Sequence, residues 1–183
     1  MAIQPIRLLY STSVPQELLD APEAATQIFS LGAPLRLIGG FAAIADSNWA
    51  AADVVYGIAA EPAHNLTTAG TPKPAFSEAS PPNQPLAVII PIGAWNRNGT
   101  VMMYKANSQN VFLASLAPGV SFAQSMVQSG QYCKLTYDAV STLWYVDSGT
   151  TSGNGAVCEI LGGVSDDPNL VRFRFKAGQR FFD

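Results

Sequence analysis

The sequence predicts a mainly β protein, a compact antiparallel barrel or sandwich with one or two short helices and an extended N-terminal arm. Apolar and polar residues alternate at period two in several short runs, the pattern of strands with one face buried. Those runs are rich in β-branched and aromatic residues, and Gly, Pro, Asn or Ser closes most of them at regular spacing, as in sandwiches and barrels.

Residues 1–27 read as the arm, and 28–183 as a single β-rich domain. The opening stretch mixes Ile3, Ile6, Leu8, Leu9 and Tyr10 with prolines, which suits a docked arm better than a compact barrel strand. Within it Ser13 and Gln16 form a capping-box pattern for one short helix through Leu19. The first domain strand is expected at 35–44, with Gly39-Gly40 marking a bend or bulge inside it. A short helix is expected at 48–52 and a strand at 54–60. Residues 69–85 hold Pro72, Pro74, Pro81, Pro82 and Pro85, which enforce extended backbone in a long loop. Long structured loops in compact domains usually contact something.

Strands follow at 86–92, 100–106 and 111–116, then a helix at 122–128 with Ser121 as its cap and Gly130 as its stop. Cys133, Leu135 and Tyr137 alternate with Lys134, Thr136 and Asp138. Residues 142–147 and 156–161 are two more strands, separated by a Gly/Ser/Thr/Asn connection at 148–155. Val171, Phe173 and Phe175 alternate with Arg172, Arg174 and Lys176 in the closing strand. Phe181 and Phe182 are too apolar for a free tail and are expected on the core or on a neighbouring subunit.

Composition limits the functions. Only 13% of the 183 residues are charged, against roughly a quarter in ordinary soluble domains. Such a chain has little with which to cover its own surface, so other protein chains are expected to cover part of it. The net charge of −3 argues against general nucleic-acid binding. No run reaches the roughly 18 apolar residues of a membrane helix. The first ten residues lack the pattern of a secretory signal, so use without export by that route is expected.

Chemistry is sparse. The one histidine, His64, has no Gly-x-Ser-x-Gly elbow to serve and no Cys-x-x-Cys to join, and it reads as a loop residue. Cys133 and Cys158 fall at apolar-phase strand positions, and sequence leaves their pairing open. The stretch from Gly149 to Gly155 lacks the Gly-Lys-Ser/Thr ending of a phosphate loop. Asp166-Asp167 lacks calcium-loop spacing and is better explained as a turn. Trp49, Trp95 and Trp144 raise a carbohydrate-binding sandwich as an alternative, although packing explains at least two of them. The Asn65-Leu66-Thr67 and Asn98-Gly99-Thr100 triplets read as chance matches to a glycosylation signal. The expectation is a protein that is not an enzyme and holds no cofactor or metal.

Read in order, several segments resemble the decoration, or cement, proteins of tailed-bacteriophage heads. Phe29-Ser30-Leu31-Gly32-Ala33-Pro34-Leu35-Arg36-Leu37 with Gly39-Gly40 resembles the family's early strand. Val55-Tyr56-Gly57-Ile58-Ala59-Ala60-Glu61 resembles its Gly-Ile-Ala strand, and the segments 87–91, 101–106 and 111–116 resemble the strands after it. Gly130-Gln131-Tyr132, Trp144-Tyr145-Val146-Asp147 and 171–175 resemble the closing strands. The resemblance covers roughly 28–176, leaving the arm outside it, and the Pro-rich loop has no counterpart in the shared core.

The resemblance implies a β-tulip-like domain on the outside of a phage capsid, made in the host cytoplasm. It would bind the major capsid protein, bridge neighbouring subunits and stabilise the shell. It would be a homo-oligomer, with a trimer favoured over a dimer, and would have neither a nucleic-acid nor a membrane partner. A β-rich tail or baseplate component is the structural alternative. Candidate contacts are Ile6, Leu8, Leu9 and Tyr10 of the arm, Pro74 and Phe76 of the loop, Arg172 and Arg174 of the last strand, and Phe181 and Phe182. Whether Arg172, Arg174, Lys176 and Arg180 meet acidic patches or solvate a strand face stays open at this level.

Overall fold

Alternation along the closing strand sets one side of the core. In β11 (Leu170–Phe175), Val171, Phe173 and Phe175 are fully buried while Arg172 is exposed. The structure, a computed structural model, describes residues 2–11, 18–45, 54–69, 99–122, 129–147 and 155–182. The described residues form eleven strands in two antiparallel sheets and contain no helix.

The six-stranded sheet has the order β1-β7-β11-β10-β8-β9. Its members are β1 (Arg7–Ser11), β7 (Asn110–Ser115), β8 (Tyr132–Asp138), β9 (Leu143–Asp147), β10 (Cys158–Gly163) and β11. The five-stranded sheet has the order β2-β6-β5-β3-β4. It is built from β2 (Leu18–Pro22), β3 (Pro34–Ile38), β4 (Phe41–Ile44), β5 (Gly57–Ala59) and β6 (Thr100–Lys105). Leu35, Ile58, Val101 and Met103 of this sheet join Phe112, Leu135, Val146, Ile160 and Phe173 of the other in one buried cluster.

Both sheets curl. A single parallel bridge, Glu23↔Ala42, links the end of β2 to β4 across the five-stranded sheet. Another, Leu116↔Val146, links the end of β7 to β9 across the other sheet. Each is one bridge and not a ladder.

Most expected strands are present within a residue or three of their predicted ends, and three expectations are corrected. The strand expected over 35–44 is a hairpin, because Gly39 and Gly40 take positive φ of 59° and 89°. Two consecutive residues in that region make a tight turn that matches strand twist. Leu18 and Leu19 open a strand, so the expected helix does not continue through Leu19. The N-terminal stretch, expected as an arm docked outside the barrel, supplies strands to it: β1 pairs with β7 and β2 with β6, so it contributes to both sheets. The strand at 86–92, the Pro-rich loop, the helix at 48–52 and nearly all of that at 122–128 lie outside the described residues.

Candidate functional site

The outer face of the six-stranded sheet gathers the basic residues of β11. Arg172, Arg174 and Lys176 are two residues apart, so the pleat sends them to the same side. Arg174 is spent within the sheet: its Nε and Nη2 donate to the two carboxylate oxygens of Glu159 on β10, at 2.9 and 3.0 Å. That bidentate pair holds the guanidinium charged and raises its pKa. The Lys176 ammonium lies 4.9 Å from the centre of the Tyr132 ring. Arg180 donates to the Phe175 carbonyl at 3.0 Å.

Arg172 is different. Among the described residues, no hydrogen bond or ion pair engages its side chain. It stands in register with Leu113 of β7, which in turn pairs with Arg7 of β1. The cross-strand row therefore reads Arg7–Leu113–Arg172–Gly162. Leu113 is buried although it lies between two arginines in register, side chains whose stems can cover apolar surface while their heads stay in water. Gly162 has φ +144°, and a Cβ there would come within 3.1 Å of Arg172 Nη2. The guanidinium thus occupies space that a side chain on β10 would fill. Beside it runs an open groove of about 280 Å³, lined by Leu9, Leu113, Gly163, Val164, Ser165 and Arg172.

This face brings together some of the sequence candidates, and others lie elsewhere in the fold. Leu9 and Tyr10 on β1 are 41% and 45% exposed, and Leu9 shares the groove with Arg172. Ile6 is buried in the core, and Leu8 points inward from the strand and packs against that core. Both side chains contribute to packing within this chain. Pro74 and Phe76 lie outside the described residues. Phe181 and Phe182 dock on their own chain, packing on Tyr56 at ring separations of 4.9 and 5.0 Å. The Lys105 ammonium lies 5.2 Å from the Phe182 ring centre, and Phe181 stays exposed. Arg7, Leu113 and Gly162 were not foreseen, because only strand register brings them to Arg172.

His64 has a partner that its sequence context hides. Glu23 is completely buried, and both of its carboxylate oxygens accept the His64 backbone N–H, at 3.0 and 3.1 Å. The imidazole Nδ1 lies 2.8 Å from Glu23 Oε2. The pair ties the segment after β5 to the end of β2. Among the described residues, no group of three or more His, Cys, Asp or Glu is placed to hold a metal ion.

Trp144 is buried in β9, which removes it as a sugar-stacking surface, while Trp49 and Trp95 lie outside the described residues. No helix among the described residues is long and apolar enough to cross a membrane. Comparison with protein-family models, with curated proteins and with solved structures finds no match.

Proposed function

We propose that this chain is a structural virion protein that binds the outside of a phage capsid and stabilises the shell by bridging neighbouring capsid subunits. The ordered run of segments resembling decoration proteins supplies the class. The observation that carries the docking role is strand β1, which sits at a sheet edge with Leu9 and Tyr10 exposed, Leu9 beside a groove and an arginine that has no ion-pair or hydrogen-bond partner among the described residues. In a chain with so few charges, an apolar edge of this kind favours burial by another protein. The mechanism is physical and no catalysis is involved: area buried across subunit boundaries makes opening the shell cost more. The two antiparallel sheets around one core, each crossed by a single isolated bridge, are compatible with a barrel-like or sandwich domain of the kind the resemblance implies. We read the working form as a homo-oligomer, a trimer in preference to a dimer, located on the capsid exterior.

Sedimentation of the purified chain with expanded heads tests this reading. Co-sedimentation at a fixed ratio to capsid protein is the expected result. A chain that stays in the supernatant at every ratio removes the proposal. Leu9→Glu together with Tyr10→Glu is the informative variant, since both side chains are exposed. It should abolish co-sedimentation while leaving the fold intact.

A further inference from the structure

We propose that the row Arg7–Leu113–Arg172, seated on Gly162, is a clamp for the carboxylates of an acidic extended peptide segment. The inference rests on the reading that this face meets another protein, and it names the chemistry of the segment that is met.

Three observations combine. The other basic groups on and after β11 are occupied, Arg174 by Glu159, Lys176 by Tyr132 and Arg180 by the Phe175 carbonyl. Arg172 and Arg7 alone on this face present guanidinium groups with no hydrogen-bond or ion-pair partner among the described residues. The acids in the adjoining turn are engaged locally: Asp166 accepts the Ser165 hydroxyl at 3.0 Å, and Asp167 accepts the Asn169 backbone N–H at 3.0 Å. A free guanidinium presents a planar fork of donors that matches a carboxylate bidentately.

Position adds specificity. Arg7 and Arg172 flank Leu113 on strands two steps apart, about 10 Å between backbones. Carboxylates two residues apart on an extended chain are separated by about 7 Å, a span the flexible arginine side chains can meet. The groove beside Arg172 is apolar on its Leu9, Leu113 and Val164 walls. It therefore receives a side chain lying next to a carboxylate, which inorganic phosphate does not supply. A nucleic-acid backbone is disfavoured by the net charge of −3. Charge complementarity and the apolar wall together select an acidic peptide.

The probe is a fluorescein-labelled heptapeptide, Glu-Leu-Glu-Thr-Glu-Leu-Glu, titrated with the full chain in low salt and read by anisotropy. Its glutamine counterpart, inorganic phosphate and a short single-stranded DNA are run in parallel. The acidic peptide is expected to bind and the glutamine peptide is not. Arg172→Gln and Arg7→Gln should each weaken binding about tenfold, while Lys134→Gln, elsewhere on the sheet, leaves it unchanged. Gly162→Ala should weaken it by displacing the guanidinium, and Arg172→Gln carries the decision if that variant fails to fold. Equal binding of the glutamine peptide, or no loss in Arg172→Gln, overturns the clamp. Phosphate or DNA binding as tightly as the peptide also overturns it, by reducing the site to a general anion patch. Heads that no longer bind while the peptide still does would remove the virion reading alone. An unsubstituted chain that binds heads but not the acidic peptide would remove the clamp alone.

Discussion

Glu23 shows how much one buried carboxylate can organise. With no solvent access it makes three contacts with two groups of a single residue, the His64 backbone N–H, shared by both of its oxygens, and the ring Nδ1. Losing the imidazole leaves the backbone N–H in place, so His64→Ala should cost about 1–3 kcal/mol in denaturant unfolding. Glu23→Ala should cost more, because it also leaves a cavity and strips the N–H of its acceptor. Two variants as stable as the unsubstituted protein would mean that the pair does not stabilise the fold. The cysteines give a second test. Cys133 and Cys158 are register partners on β8 and β10, both buried and both free, and the Cys158 thiol donates to the Cys133 carbonyl at 3.0 Å. Burial, aided by the Asp147 charge, pushes the Cys133 thiol up to about 11, and burial also drives Cys158 well above its ordinary value. An acid whose folded pKa is raised contributes stability below its unfolded pKa and loses it as pH rises toward the folded value. Stability should therefore hold up to about pH 9 and fall between there and pH 11. Tyr56 and Tyr145, raised mainly by burial, steepen the same limb. Native protein at pH 8 should leave Ellman's reagent uncoloured, and both thiols should react on unfolding; rapid native reaction would contradict the burial.

At the scale of elements, β1 decides how docking is tested. Removing residues 2–20 would delete β1 and much of β2 and take Ile3 and Ile6 from the core. Such a truncation reports on folding before it reports on binding, which is why substitutions at Leu9 and Tyr10 are the sharper probe. Gly32 anchors this element: it has φ +82°, and a Cβ there would sit 2.6 Å from the Ile6 backbone N and O. Gly32→Ala should therefore destabilise by several kcal/mol, a combined effect of strain and displaced backbone. Gly178→Ala has φ +80° but open space around it. It should show the conformational cost alone, about 1 kcal/mol. Similar losses in the two variants would mean that the Gly32–Ile6 approach is not tight. The strands of the C-terminal third were legible because alternation there is clean, as in Val171–Arg172–Phe173–Arg174–Phe175. β1 was not legible, because Arg7-Leu8-Leu9-Tyr10-Ser11 lacks alternation and carries a register shift between Leu8 and Tyr10. A bulge turns one side chain out of phase, and periodicity then misses the strand. The Arg172 seat was half legible: Gly162-Gly163 within a strand signals a bulge or close approach, but only register identifies the neighbour as Arg172.

The whole molecule is clasped at both ends of the described chain. β1, early in sequence, pairs with β7 some hundred residues later, Arg7 opposite Leu113. The segment after β11 crosses to the other sheet, where Val55 donates its N–H to the Gln179 carbonyl and accepts from Phe181 N–H. Tyr56 packs under Phe181 and Phe182 at the same place. Each sheet is thus completed or tied by chain from the far end of the sequence, and both line one buried cluster. Neither sheet has a core of its own to retain when the other opens. Unfolding should therefore be a single cooperative event, with calorimetric and van't Hoff enthalpies equal. Val101→Ala in the five-stranded sheet and Val171→Ala in the six-stranded sheet should lower the same Tm, since both side chains are fully buried in the shared cluster. The long-range pairing also requires costly loop closure before it is rewarded, so refolding should run on the millisecond-to-second scale of non-local β topologies. Two resolved transitions, with one substitution moving only the first and the other only the second, would show that the sheets are independent units and that the terminal crossings do not couple them.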